Sequence, residues 1–217
     1  MIGLGGVGSH AAVCLARNGI GGLLLVDFDL VTESSLNRSP FAGPSSVGMA
    51  KAESLAGHLA ETCPETRVRW VREFMDEKTI PAVLAASPSW VVDAIDGLNP
   101  KVCLIQHCLA SGIPIVSSMG ASSRIDPAAV RVGDISATEV CPLARKVRQY
   151  LKRRGIDSGL TCVYSVETPS VRPGPPDDSE AVVRRGRIRN RLPGAGALPG
   201  IFGYACAAVV LKEIAGG

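Results

Sequence analysis

Four glycines and two aspartates near the amino terminus carry the chemistry most readily named. Gly3, Gly5, Gly6 and Gly8 lie in the run Gly3-Leu4-Gly5-Gly6-Val7-Gly8-Ser9, and Asp27 and Asp29 follow the apolar run Leu23-Leu24-Leu25-Val26. Glycines let a backbone bring its N–H groups close to a phosphate, and a helix that starts there favours negative charge at its end. Asp27, at the end of the apolar run, is placed to bind a ribose hydroxyl. Taken alone the glycine pattern is weak, because dinucleotide-binding dehydrogenases share it and a Gly-rich turn can serve only to pack a helix on a strand. Arg38, Lys51 and Asp96 sharpen the reading, with Asn37 beside Arg38. Two cations can neutralise a triphosphate and a nearby carboxylate can hold Mg²⁺ on it. A nicotinamide site needs no such set. Each residue also has a plain alternative: Arg38 as a solvated loop cation, Lys51 as an exposed helix residue, Asp96 as the cap of the next helix.

The elements that must position these residues read as alternating strands and helices. Ala11 to Asn18 reads as a helix, 23–27 as a strand, 30–46 as a loop and Val47 to Glu61 as a helix carrying Lys51. Strands follow at 67–71, 90–92 and 113–116, with helices over 78–86 and 100–111 between them. This alternation gives an α/β fold, a Rossmann-like, mostly parallel sheet with helices on both faces. Ligands sit at the carboxyl ends of such strands, where Asp27, Asp29, Asp93 and Asp96 all fall. After Gly120 a strand over 130–135 reads as antiparallel, so a C-terminal antiparallel extension is expected. A helix over 142–154, a strand over 161–165 and an apolar helix over 201–214 complete the order. Residues 168–179 are proline-rich with little apolar content and read as a mobile loop. Residues 1–217 read as one domain.

Composition bounds the rest. A chain of 217 residues suits one α/β domain, and a net charge of +3 does not by itself demand nucleic acid. Seven cysteines occur without a C-x-x-C pair, which argues against a structural zinc site and for buried thiols in a reducing compartment. No stretch reads as long and apolar enough to cross a bilayer, and no signal peptide is visible. Only Met1-Ile2 precede the glycine turn, where a central strand of about five residues is usual. Either the first strand is clipped or a short one suffices.

The glycine run, Val26-Asp27-Phe28-Asp29, Ser35-Leu36-Asn37-Arg38, Lys51 and Asp93-Ala94-Ile95-Asp96 together resemble the E1-like superfamily of ThiF, MoeB and ubiquitin-activating enzymes, which adenylate a carboxylate with ATP. The second half narrows this. Ser118-Met119-Gly120-Ala121, Ile125-Asp126-Pro127, Val132-Gly133-Asp134-Ile135-Ser136, Pro142-Leu143-Ala144-Arg145, Cys162-Val163-Tyr164-Ser165-Val166-Glu167 and Leu198-Pro199-Gly200-Ile201-Phe202-Gly203-Tyr204 resemble the tRNA threonylcarbamoyladenosine dehydratases, the last stretch and the Arg-rich run being closer to eukaryotic members. The resemblance implies ATP-dependent cyclisation of N6-threonylcarbamoyladenosine at tRNA position 37. In its terms Asp27 holds the ribose, Arg38 and Lys51 the phosphates, and Asp96 the Mg²⁺. It implies a homodimer, tRNA as substrate and sulfur-transfer partner proteins. A cytoplasmic location is expected, or a mitochondrial one if the chain is eukaryotic. Two departures stand out: the superfamily's arginine ahead of the first strand has no counterpart here, and Ser39 stands where many relatives have Gln.

Rival readings are an activator of a ubiquitin-like or sulfur-carrier protein, a non-catalytic tRNA-binding module, and, less favoured, an NAD-dependent dehydrogenase. Cys162 is the most tempting nucleophile, yet its apolar strand favours structural burial. His10 reads as a packing or capping residue, and His58 and His107 as structural. Arg145, Lys146, Arg148, Lys152, Arg153 and Arg154, together with Arg184, Arg185, Arg187, Arg189 and Arg191, form either a solvated basic face or a contact for tRNA phosphates.

Overall fold

The structure is a computed structural model that describes residues 1–169 and 197–216. Six strands form in chain order: β1 (Gly22–Val26), β2 (Arg67–Val71), β3 (Val91–Asp93), β4 (Ile115–Ser118), β5 (Val130–Asp134) and β6 (Thr161–Ser165). Six α-helices lie before, between and after them: α1 (Gly6–Arg17), α2 (Lys51–Thr62), α3 (Ile80–Leu84), α4 (Leu98–Ala110), α5 (Pro142–Lys152) and α6 (Ala197–Ala215). β1 pairs with β2, and β3, β4, β6 and β5 pair in that order. Met1-Ile2 joins the two groups. Ile2 N–H donates to the Val92 carbonyl at 2.9 Å, and on the other side Val26 N–H donates to the Met1 carbonyl at 2.9 Å. Two residues thus hold the central position of the sheet, in parallel bridges to Val26 and Asp93. Every strand pair is parallel except β5 with β6, which is antiparallel. The fold is therefore the Rossmann-like α/β sheet expected, with its antiparallel extension.

Strand side chains alternate between faces, and this sorts the helices. Val26, Val91, Ile115, Cys162 and Tyr164 join a core with Ile80 of α3, Leu104 and Ile105 of α4, and Val147 and Leu151 of α5. Their neighbours Val92, Val116 and Val163 face the other way, against Ala11 and Leu15 of α1 and Phe202, Cys206 and Val210 of α6. Leu25 meets Leu55 and Leu59 of α2 beside Ala12 of α1. Helices cover both faces, and the carboxyl ends of the parallel strands point to one edge.

Several boundaries differ from expectation. α1 starts at Gly6, not Ala11, with Gly5 as its extended N-cap, so the glycine turn is the first turn of the helix itself. α2 starts at Lys51, not Val47, because Gly48 holds φ +89, outside helical space. α3 spans only Ile80–Leu84: Asp76 and Thr79 form a hydrogen-bonded turn over the residues expected to begin it. The expectation that no stretch could cross a bilayer is also corrected. α6 has 19 residues of mean hydropathy 1.5, long and apolar enough by length and composition. In this fold its residues Leu198, Phe202, Cys206, Ala207 and Val210 are buried against α1 and the sheet. Apart from Thr168 and Pro169, the expected loop over 168–179 lies outside the described residues, as does the arginine cluster 184–191.

Candidate nucleotide site

The glycine turn is fixed by contacts that leave no room for side chains at most of its positions. Gly3 holds φ +85, and a Cβ there would come within 2.8 Å of the Ala94 backbone. A Cβ on Gly8 would lie 1.8 Å from the Gly3 carbonyl oxygen. One on Gly6 would press on Pro199 of α6 at 2.9 Å and on the Arg38 side chain at 3.2 Å. Gly5 differs, because nothing lies within 4 Å of where its Cβ would be. Packing explains three glycines, and the fourth faces open space at the start of α1. That helix end has no side-chain cap and no acidic residue in its first turn. Its N–H groups and its dipole are thus arranged for an anion.

Three segments close on the turn, each at a different residue. The first follows β1. Asp27, buried, accepts hydrogen bonds from Leu4 N–H at 2.6 Å and from Asp29 N–H at 2.8 Å. Its carboxylate ties the turn to the strand end, and an ionised carboxylate has capacity left to accept from a hydroxyl. Burial pushes its pKa up, and Lys51 opposes that shift. Lys51, the first residue of α2, lies 3.0 Å from the Asp29 carboxylate, and its backbone N–H donates to the Asp29 carbonyl at 3.0 Å. Asp27, Asp29 and Lys51 therefore form one charged group at the end of β1.

The second segment brings Arg38. Its Cβ and Cγ lie over Gly6, while its guanidinium donates to the Ser34 carbonyl and to the side chain of exposed Asn37 at 3.4 Å. The third is the loop after β3. Ala94 backs onto Gly3, and Ala94 N–H donates to the Ile2 carbonyl at 2.8 Å. Asp96 stands exposed on this loop. Asp93, which sequence also placed at a strand end, is not available to a ligand. It is fully buried, pairs with the equally buried Lys101 at 2.6 Å, and accepts from Ser117 at 2.6 Å and from Ile95 N–H at 3.0 Å.

The donor set suits a magnesium nucleotide. Mg²⁺ is commonly held by one or two carboxylates together with substrate phosphates. Asp96 provides an exposed carboxylate beside the turn, and among the described residues no cluster of three or more His, Cys, Asp or Glu forms a cage of its own. A surface cleft of about 470 Å³ between α2 and β2, lined by Glu53, Gly57 and Trp70, contains none of these residues.

Other expectations resolve as packing. Cys162 is fully buried, and burial pushes its thiol far above the ordinary range, away from the thiolate a nucleophile needs. His10 stacks edge-on against Tyr204 at 5.6 Å, with Gly200 against its ring. Burial pulls its pKa down, and a hydrogen bond to the Arg38 backbone works the other way. Arg145, Lys146 and Lys152 are exposed on α5, as are Arg153 and Arg154 just past its end, while Arg148 donates to Thr138 at 2.6 Å.

Sequence reasoning missed Lys101 and the role of α6. Lys101 stands on the same helical stripe as Leu104, Ile105 and Cys108, all buried, so a lysine on an apolar stripe was the available signal for a buried partner. Gly203, whose Cβ would fall 2.4 Å from the Val7 carbonyl oxygen, lets α6 sit directly on α1.

Comparison with known proteins gives the family and the fold. The model of the ThiF family matches residues 1–217. The tRNA threonylcarbamoyladenosine dehydratase 2 of Saccharomyces cerevisiae is 36% identical over 228 residues, covering 99% of this chain and 51% of the yeast protein. The tRNA threonylcarbamoyladenosine dehydratase of Bacillus subtilis is 39% identical over 171 residues, covering 79% of this chain and 67% of that protein. The chain thus spans about half to two thirds of these relatives. Among solved structures, the E. coli tRNA N6-threonylcarbamoyladenosine dehydratase in complex with AMP superposes with a TM-score of 0.85 at 34% identity, covering 99% of this chain and 84% of that one. The same E. coli protein has also been solved with ATP.

Proposed function

Because the chain belongs to the ThiF family, we propose that it uses ATP to dehydrate and cyclise N6-threonylcarbamoyladenosine at position 37 of tRNA. The observation that carries this reading is the convergence of the Asp27–Asp29–Lys51 group, Arg38 and the Asp96 loop on one glycine turn with an open position at Gly5. The names of the relatives, and the AMP and ATP held by the E. coli protein, supply the substrate class.

The chemistry follows from the substrate's own groups. An oxygen of the threonyl carboxylate attacks the α-phosphorus of ATP, and diphosphate leaves. An atom of the adjacent carbamoyl group, losing a proton, then attacks the activated carbonyl carbon, and AMP leaves with the former carboxylate oxygen. One water is lost from the nucleoside while ATP becomes AMP and diphosphate. No protein nucleophile takes part, in keeping with the burial of Cys162. The chain supplies position and charge. The N–H groups at the start of α1, Arg38 and Lys51 face the phosphates. Asp27 fixes the turn and accepts from the ribose. Asp29 holds Lys51 until the nucleotide arrives. Mg²⁺, held by Asp96 and the phosphates, would neutralise charge on the leaving diphosphate.

The basic outer face of α5 suits the phosphates of tRNA. A homodimer and sulfur-transfer partners are further expectations from the family resemblance, checked by light scattering and by co-purification. The central test is incubation with ATP, Mg²⁺ and tRNA carrying the threonylcarbamoyl group, followed by nucleoside mass analysis. Loss of one water from the modified nucleoside, dependent on ATP, is expected. An unchanged nucleoside mass together with diphosphate exchange driven by a carrier protein ending in Gly-Gly would instead make the chain a carrier-protein activator.

A further inference from the structure

A buried arginine after β4, on the same edge of the sheet as this site, makes no ion pair among the described residues. Arg124 is 3% exposed. Its Nε donates to the Glu167 carbonyl at 3.1 Å, and its Nη1 to the carbonyls of Gly120 at 2.7 Å and Ser122 at 3.3 Å. Those acceptors are neutral. The carboxylate nearest in sequence to these contacts, Glu167, is turned to the backbone, accepting from Ile125 N–H at 3.0 Å and Asp126 N–H at 2.9 Å. Nη2 is buried and has no hydrogen-bond partner among the described residues. A guanidinium cannot shed its proton to escape such a place. An unsatisfied buried donor on a charged group is costly, and calls for a ligand that pairs with it.

The topology says where that donor stands. Arg124 belongs to the segment leaving the carboxyl end of β4, and β4 lies beside β3, with Asp93 in register with Ser117. β3 is the strand whose following loop carries Asp96 against Gly3. Along the sheet edge the order is Asp27 after β1, the glycine turn after Ile2, Asp96 after β3, then Arg124 after β4. The ribose-side acid, the phosphate turn and the metal-side acid are thus followed by a cation with two free N–H groups. Ser123, immediately before it, holds a left-handed φ of +61, a strained conformation for a residue with a side chain.

We propose that the Nη2 edge of Arg124 binds the carboxylate of the substrate's threonyl group and holds it toward the nucleotide for attack. This rests on the function proposed above. Nη2 is covered, so binding there requires the Gly120–Ile125 turn to shift. The anion then receives a charge-assisted hydrogen bond and neutralises the buried cation. A nucleotide phosphate has the same oxyanion chemistry, so the test must separate the two sources.

An anticodon stem-loop carrying N6-threonylcarbamoyladenosine, and the same stem-loop with that carboxyl group methyl-esterified, are titrated into the protein at saturating Mg²⁺ and a non-hydrolysable ATP analogue. The wild type is expected to prefer the acid over the ester by tenfold or more. Arg124→Gln, which retains a donor for Gly120, should bring that ratio close to one while binding the ATP analogue within twofold of wild type. Arg124→Lys, which keeps the charge but not the fork, should melt like the wild type and retain a severalfold preference. An acid-over-ester preference that persists in Arg124→Gln overturns the assignment. So does a variant that loses affinity for the ATP analogue while keeping the preference, since the anion is then a nucleotide phosphate. A wild type that binds neither stem-loop overturns this assignment and the proposed function together.

Discussion

At the residue scale, the four glycines of the turn answer to different causes, and substitution separates them. Gly8→Ala places a methyl group inside contact distance of the Gly3 carbonyl and has no flexible neighbour to yield. Denaturant melts should show a loss of about 3 kcal/mol or more. Gly5 has φ −71 and ψ −162, which alanine adopts freely, and open space around it. Gly5→Ala is therefore expected to melt within about 1 kcal/mol of the wild type, yet to weaken ATP at least tenfold in a calorimetric titration. Equal ATP affinity in the two proteins would show that the open position faces nothing. His10 supplies a pH effect. Free histidine titrates near 6.5, and burial lowers that value in the fold. As pH falls below 6.5 the unfolded chain takes up this proton first, so stability falls through the window down to the folded pKa. Thermal melts at about pH 7.5 and about pH 5.5 should show a smaller acid decline for His10→Gln than for the wild type.

At the scale of elements, the loop after β3 depends on α4. Lys101 uses its three donors on Asp93, Ser117 at 3.1 Å and the Ser118 carbonyl at 2.9 Å, and Asp93 in turn holds Ile95 N–H. Removing one partner of such a buried pair leaves the other charge uncompensated. Lys101→Met should cost about 3–5 kcal/mol, and Lys101→Met with Asp93→Asn should recover part of it. A double variant no more stable than the single one would contradict this. The element pattern was largely legible in the sequence because it rests on local signals: apolar runs for strands, the glycine turn, proline in the first turns of α4 and α5. The start of α1 was less so. Glycines read as a loop, but those at Gly6 and Gly8 are there because α6, the Arg38 loop and Gly3 approach too closely for a side chain. Such approaches join residues far apart in the chain, and no local pattern announces them.

At the scale of the whole molecule, the sheet edge collects residues that the sequence spreads from Gly3 to Asp96. Asp27, Arg38 and Lys51 could be picked out by type and spacing. Their present partners could not, because Asp29 for Lys51, Leu4 for Asp27 and Gly6 beneath Arg38 are products of the fold. The outer face of α5 adds a surface term. Replacing exposed Arg145, Lys146 and Lys152 with Gln should weaken tRNA binding and reduce the slope of log affinity against log salt by about 2, measured by filter binding. An unchanged slope would mark the face as merely solvated.

The most direct test of the nucleotide site is a calorimetric titration of Mg–ATP into the wild type and Arg38→Ala, with NAD as the comparison ligand. The wild type is expected to bind ATP and not NAD, and the variant to lose at least tenfold in ATP affinity, about 1.4 kcal/mol or more, while keeping its melting temperature. ATP binding of equal strength in both proteins, or NAD bound as well as ATP, would contradict this expectation.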